Sequence, residues 1–171
     1  MTVGWLAEYT IILKPIGFVR HGYPDEFVSK SEKGVDAVIE ILPDYVDGLK
    51  GLDEYSHIIV VAYLHKVRED QRKVLLVKQR GFARRFGVSL DNLPTVGVFA
   101  SNSPHRPNPI AISIPRLVRI DGNKIFVEGI DMYNDTPVID IRPYTPDKHI
   151  DNFSIPKWMK EIIDQKTHIQ S

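Results

Sequence analysis

The chain is 171 residues long, room for one domain with a tail and not comfortably for two. It contains 0 cysteines, which excludes disulfides, thiolate zinc sites and cysteine nucleophiles and points to a reducing compartment. Lys+Arg 22 balance Asp+Glu 22 for a formal charge of +0, so a nucleic-acid partner must be held by a local patch and not by the field of the whole molecule.

The opening segment is interrupted by Glu8 and lacks both a basic start and a small-residue cleavage site, so it does not read as a signal peptide. No apolar run approaches the ~18–20 residues needed to cross a bilayer. The expectation is a soluble, cytoplasmic protein with no membrane partner. Residues 10–20 form a first candidate strand, with Pro15 and Gly17 marking an edge or a bulge. In residues 35–42, Val35, Ala37, Ile39 and Ile41 share one face while Asp36 and Glu40 share the other, the period of a half-buried strand. Residues 56–64 are almost wholly apolar and suit a strand covered on both faces.

Residues 69–78 are polar and fit either a helix or a loop leading into a short strand over 74–77. Residues 96–100 predict a short strand entering a proline-rich stretch. Residues 112–120 and 124–130 flank Asp121-Gly122, a pair suited to the positive φ of a tight hairpin turn. A last strand covers 138–142. Residues 156–166 then predict a helix, with Ser154 able to cap it, Pro156 in its first turn, and Trp158, Met159, Ile162 and Ile163 forming a stripe that docks on the body of the domain. Short strands punctuated by turns, without β-helix-β alternation, predict a mainly-β fold. A small closed antiparallel barrel with short helices is expected over residues 1–150, followed by a helical tail over 151–171.

Three clusters carry the polar chemistry. In Ser101-Asn102-Ser103-Pro104-His105-Arg106-Pro107-Asn108-Pro109 the prolines stiffen the backbone, which holds His105, Arg106 and Asn108 in set directions. Gly129-Ile130-Asp131-Met132-Tyr133-Asn134-Asp135-Thr136-Pro137 is a strand end followed by a turn rich in backbone-bonding residues. Gly51-Leu52-Asp53-Glu54-Tyr55-Ser56-His57 leads through the apolar strand to His65-Lys66. The six histidines show no metal-ligand spacing, so no metal is expected. Between Lys66 and Arg85, eight basic residues face two acidic ones, and Arg80, Arg84 and Arg85 close that run. Such clustering beside a candidate site is the footprint expected for a phosphate backbone.

Four pieces, which take in parts of these clusters, stand in order along most of the chain: Pro15-Ile16-Gly17-Phe18-Val19-Arg20, Gly51 to His57, Gly97-Val98-Phe99-Ala100 with Ser103-Pro104-His105-Arg106-Pro107-Asn108-Pro109-Ile110, and Thr136-Pro137-Val138-Ile139-Asp140-Ile141-Arg142-Pro143-Tyr144. Together they resemble the TsaA-like β-barrel methyltransferases, which methylate threonylcarbamoyladenosine at position 37 of tRNA. The resemblance implies a small barrel that binds S-adenosyl-L-methionine without a Rossmann-type sheet and works as a homodimer. It maps the cofactor contacts to His65, Lys66, Asn102, Ile112, Asp131, Met132, Tyr133 and Asn134.

The implied acceptor is the exocyclic nitrogen of the modified adenosine, with His105 or His65 as general base. Arg106, Asn108, Arg80, Arg84 and Arg85 would hold the tRNA substrate. Where the family carries Thr-Arg-Ser, this chain has Ser101-Asn102-Ser103. Asn134-Asp135-Thr136-Pro137 stands for Asp-Gly-Thr-Pro, and Ala111 for a common Gly. The paired loss of an Arg and an Asp leaves two other readings open: methylation of a different acceptor, or nucleoside or RNA binding without catalysis.

Overall fold

A segment in which every second side chain is apolar can hide them all on one side only as an extended strand. The computed structural model, which describes residues 10–167, follows that rule in its principal strands. In chain order it forms β1 (Gly17–Arg20), α1 (Asp25–Lys30), β2 (Val35–Ile41), β3 (Ile58–Tyr63), α2 (Glu69–Arg72), β4 (Leu76–Val77), α3 (Arg80–Phe86), β5 (Val96–Gly97), β6 (Ile110–Ser113), β7 (Arg116–Asp121), β8 (Lys124–Ile130), β9 (Pro137–Pro143) and α4 (Lys157–Thr167). Short 3-10 turns fill several of the connections. Among the described residues no helix is long and apolar enough to cross a membrane. The segment around Glu8 and the last four residues of the expected tail lie outside the described residues.

Seven strands make one antiparallel sheet in the order β6-β3-β9-β1-β2-β8-β7, and β4 and β5 pair separately. The core is the inner face of the large sheet. Val19, Ile39, Ile58, Val60, Ile125, Ile130 and Val138 are all 0% exposed there. Each such side chain contributes about 1.5–3 kcal/mol by leaving water. The two edge strands, β6 and β7, follow one another in sequence across Ile114-Pro115. A bridge between His57, just before β3, and Arg116 of β7 draws that edge strand toward the far side of the sheet. Leu117 N–H donates to Ser56 O at 2.8 Å and Ile58 N–H to Pro115 O at 3.3 Å. The architecture is therefore mainly β and antiparallel, with β7 joined to the start of β3 by one bridge and not by a full ladder.

Several expectations are revised. Only Gly17–Arg20 of residues 10–20 is a strand, because Pro15 has no N–H and pairing begins where Ile16 N–H donates to Val138 O at 2.8 Å. Upstream, Ile11 and Ile12 are 78% and 81% exposed. The strand expected over 96–100 stops at Gly97 and tightens into a 3-10 turn over Val98–Ala100, where the Ser101 hydroxyl donates to Val98 O. β3 is buried on one face and only half-covered on the other. In the hairpin, Asp121 pairs with Lys124, so the two-residue loop is Gly122-Asn123. Only Gly122 takes a positive φ there, 58°, the pattern of a II′ turn. α1 and α3 were not expected, since each buries a single side chain, Val28 or Ala83, and shows no apolar stripe. Residues 69–78 combine both expectations, as α2 followed by β4. α4 meets α3 through the edge of Trp158 against Phe82, ring centroids 5.4 Å apart.

Candidate active site at one end of the sheet

In an antiparallel sheet neighbouring strands run in opposite directions, so alternate starts and ends share one edge of the molecule. With β6, β3, β9, β1, β2 and β8 side by side, the start of β6, the ends of β3, β1 and β8, and the starts of β9 and β2 lie together. That single fact gathers the proline-rich loop before β6, His65 and Lys66 after β3, and the 131–136 turn between β8 and β9. Two glycines shape the exit of β8. Gly34 and Gly129 have φ of 70° and 83°, and a Cβ on Gly34 would lie 2.5 Å from the Gly129 carbonyl carbon. No other residue fits that crossing.

The 131–136 turn is tied to the end of β1 at several points. Asp135 N–H donates to Val19 O at 2.8 Å, and Val19 N–H donates to Thr136 O at 3.0 Å. Asp135 takes a left-handed φ of 64°, as a residue in place of Gly must. Its carboxylate accepts from the Arg20 guanidinium and from Asn134 Nδ2, the latter at 3.0 Å. Arg20 Nε also donates to Glu40 at 3.1 Å. The backbone N–H of His21 donates to Asn134 Oδ1 at 2.9 Å, and its ring Nε2 donates to Met132 O at 2.9 Å. The Met132 side chain is 1% exposed and belongs to the core, so this residue offers a ligand only its backbone. Asp131 is exposed and Tyr133 half-buried.

His65 and Lys66 follow the last rung of β3, where Leu64 N–H donates to Pro109 O at 2.8 Å. Lys66 Nζ donates to Asp25 of α1 at 2.5 Å and sits 5.2 Å from the centre of the Tyr133 ring. Partial burial, and then the Lys66 charge, hold the His65 imidazole below its ordinary 6.5, while Asp135 and Asp25 pull it upward. His65, Lys66, Tyr133, Asn134 and Asp135 thus form one electrostatic cluster. Among the described residues no group of three His, Asp or Glu side chains is disposed around a metal position.

The proline-rich loop is closed on itself. Ser103 N–H donates to the Ser101 hydroxyl at 3.2 Å, and His105 N–H to the Ser103 hydroxyl at 3.2 Å. Arg106 Nη1 donates to the carbonyls of Ser101 and Ser103, so its cation braces the loop and is only half-exposed. His105 is half-buried; Asn102 and Asn108 are exposed. Asn108 lines an apolar groove of about 460 Å³ with Tyr63, Ile110 and Pro137. A second groove, about 530 Å³, lies on the β1–β2–β8 side and takes in Arg20, His21, Tyr23 and Phe126. Ile112 stands two residues into β6 on the outer face, 67% exposed, and does not reach the cluster by its side chain.

Arg80, Arg84 and Arg85 all lie exposed on α3. Arg84 donates to Ser29 O of α1 at 2.7 Å, which fastens the basic helix to the helix that holds Lys66. Sequence reasoning missed Arg20, His21 and Asp25 as members of the cluster. Arg20 ended a matched motif without being given a role, and the available signal was its place at a strand end. Nothing local marks His21 or Asp25, whose partners are 111 and 41 residues away.

Residues 20–151 match the family model described as the tRNA-methyltransferase O N-terminal domain. A probable S-adenosyl-L-methionine-binding protein of Methanocaldococcus jannaschii is 40% identical over 78% of this chain and 91% of its own length. The tRNA (adenine(37)-N6)-methyltransferase of Mus musculus is 28% identical over 83% of the chain and 32% of that protein. A crystal structure of TrmO superposes with a TM-score of 0.62 at 28% identity, covering 85% of this chain. The chain accounts for 64% of that structure, less than two thirds of it. By sequence over most of its length and by fold, the chain belongs to the tRNA-methyltransferase O N-terminal domain family.

Proposed function

We propose that the chain is an S-adenosyl-L-methionine-dependent methyltransferase that acts in the cytoplasm, as a homodimer built on a closed barrel, on the exocyclic amine of threonylcarbamoyladenosine at position 37 of tRNA. The observation that carries this reading is the convergence of the proline-rich loop, His65-Lys66 and the 131–136 turn on one end of the sheet, beside a basic helix fastened to the same site. The residues present fit the cofactor. Asp131 is an exposed carboxylate suited to hydroxyl or ammonium groups, Asn102 offers one acceptor and two donors, and Tyr133 supplies a ring. The adjoining groove is within the usual range for a small-molecule pocket. His65, Lys66, Asn102, the 131–134 turn and the backbone near Ile112 would hold the cofactor, which when bound supplies a methyl group activated on a sulfonium.

The remaining work falls to orientation and to one proton. The acceptor nitrogen has a delocalised lone pair, and a base that removes its proton adds about 10²–10⁴-fold. His65 suits that task, because partial burial and the Lys66 charge hold its imidazole below the ordinary 6.5 while its ring still reaches the surface. Arg80, Arg84, Arg85 and Asn108 are the groups available to RNA, and Arg106 positions Asn108 through the loop it braces. Radiolabelled cofactor and bulk tRNA test the reading. Label in the modified adenosine supports it; label in another nucleoside, or binding without transfer, favours one of the two alternatives.

A further inference from the structure

In the 131–134 turn, assigned to the cofactor above, the Met132 side chain is buried in the core and the Tyr133 carbonyl accepts from Thr136 N–H at 3.2 Å. The Met132 carbonyl and the Asn134 side chain are held by His21. Its ring Nδ1 lies 3.2 Å from the backbone N–H of Tyr23, a group that can only donate. Nδ1 is therefore an acceptor, the ring proton sits on Nε2, and Nε2–H points at Met132 O, 2.9 Å away. The backbone N–H of the same residue holds Asn134 Oδ1 at 2.9 Å. One residue thus grips the turn at both ends of Met132-Tyr133-Asn134, and the Tyr23 amide fixes which nitrogen does the gripping.

We infer that His21 is a positioning residue for the cofactor: it orients the 131–134 turn through Met132 O, in the Nε2–H tautomer selected by Tyr23. The inference rests on the assignment of that turn to the cofactor. His21 needs no contact with the cofactor or the acceptor to do this. Its effect reaches the site as a preorganised backbone, the form of support a binding loop requires.

Two amide side chains separate the ring's two bonds. In His21→Gln the terminal NH2 replaces Nε2–H and can still donate to Met132 O. In His21→Asn the nearer carbonyl replaces Nδ1 and can still accept from Tyr23 N–H. Both keep the backbone bond to Asn134 and lose one side-chain bond, so their melting temperatures should be alike. Calorimetry with S-adenosylhomocysteine should show His21→Gln within about twofold of the unaltered protein and His21→Asn weakened about fivefold to tenfold, the worth of one lost hydrogen bond. In turnover the Asn change should raise the cofactor KM more than it lowers kcat. Equal affinities for the Gln and Asn variants, whether both tight or both weak, would overturn the positioning role. No binding by the unaltered protein would overturn the cofactor assignment and this inference with it, and it would be seen before any substitution is made.

Discussion

His65 is held below its ordinary 6.5 first by partial burial and then by the Lys66 charge, so the folded chain takes up a proton there less readily than the unfolded chain. Its contribution to stability is full above 6.5 and declines as pH falls from 6.5 through the folded value. The same shift leaves a neutral imidazole available near pH 7. Methyl transfer should therefore lose rate on an acid limb with its midpoint below 6.5. His65→Gln should lower kcat about 10²–10⁴-fold and abolish that limb, while His105→Gln should leave it in place. A limb that vanishes with His105 instead would exchange their roles. At the neighbouring turn, Asn134 Nδ2 donates to Asp135, which Arg20 already neutralises. Asn134→Asp replaces that donor by a second carboxylate, so restoring the family's residues with Asn102→Arg and Asn134→Asp should weaken cofactor binding. A double-mutant cycle by calorimetry checks this; tighter, synergistic binding would show that the family's pair still fits here. The Arg20–Asp135 pair is exposed, and Asp135→Asn should change stability by less than about 1 kcal/mol.

Among the elements, α3 carries the electrostatics and the sheet carries the stability. Replacing Arg80, Arg84 and Arg85 with Ala should weaken tRNA binding and flatten its salt dependence by about 0.7–0.9 log units of slope per lost phosphate contact. Filter binding across a salt series measures it, and unchanged affinity and slope would move the RNA surface off α3. Ile125, 0% exposed in β8, should cost about 2–5 kcal/mol on truncation to Ala, read by denaturant unfolding. These elements differ in how legible they were. β2 and β8 announce themselves because the rule of alternation is local and the buried face is complete. α1 and α3 do not, because each buries one side chain and leans on distant partners, Lys66 with Asp25 and Arg84 with Ser29 O. The hairpin slipped by one residue because Asp121 and Gly122 both suit turns, and the register of β7 on β8 decides between them. The motif loops were legible as stiff or turn-prone, whereas the Arg20–Asp135 and His21–Met132 contacts join β1 to a turn more than a hundred residues away and have no local signal.

On the scale of the whole molecule, the outer face of β3, β6 and β9 leaves Ile112 67% and Ile114 49% exposed beside the groove that contains Ile110 and Tyr63. Apolar surface of that kind on a chain proposed as a homodimer predicts a dimer by light scattering at micromolar concentration. A monomer that retains activity would refute it. The central claim is that the polar end of this sheet transfers a methyl group from S-adenosyl-L-methionine to an adenine of tRNA. Its most direct test is a single-turnover reaction of the unaltered protein with methyl-labelled cofactor and tRNA bearing threonylcarbamoyladenosine, followed by nuclease digestion and separation of the nucleosides. The predicted result is label in the threonylcarbamoyladenosine peak, on its exocyclic nitrogen, at up to one methyl per tRNA. Label confined to another nucleoside, or none in the tRNA while the cofactor binds, would contradict it.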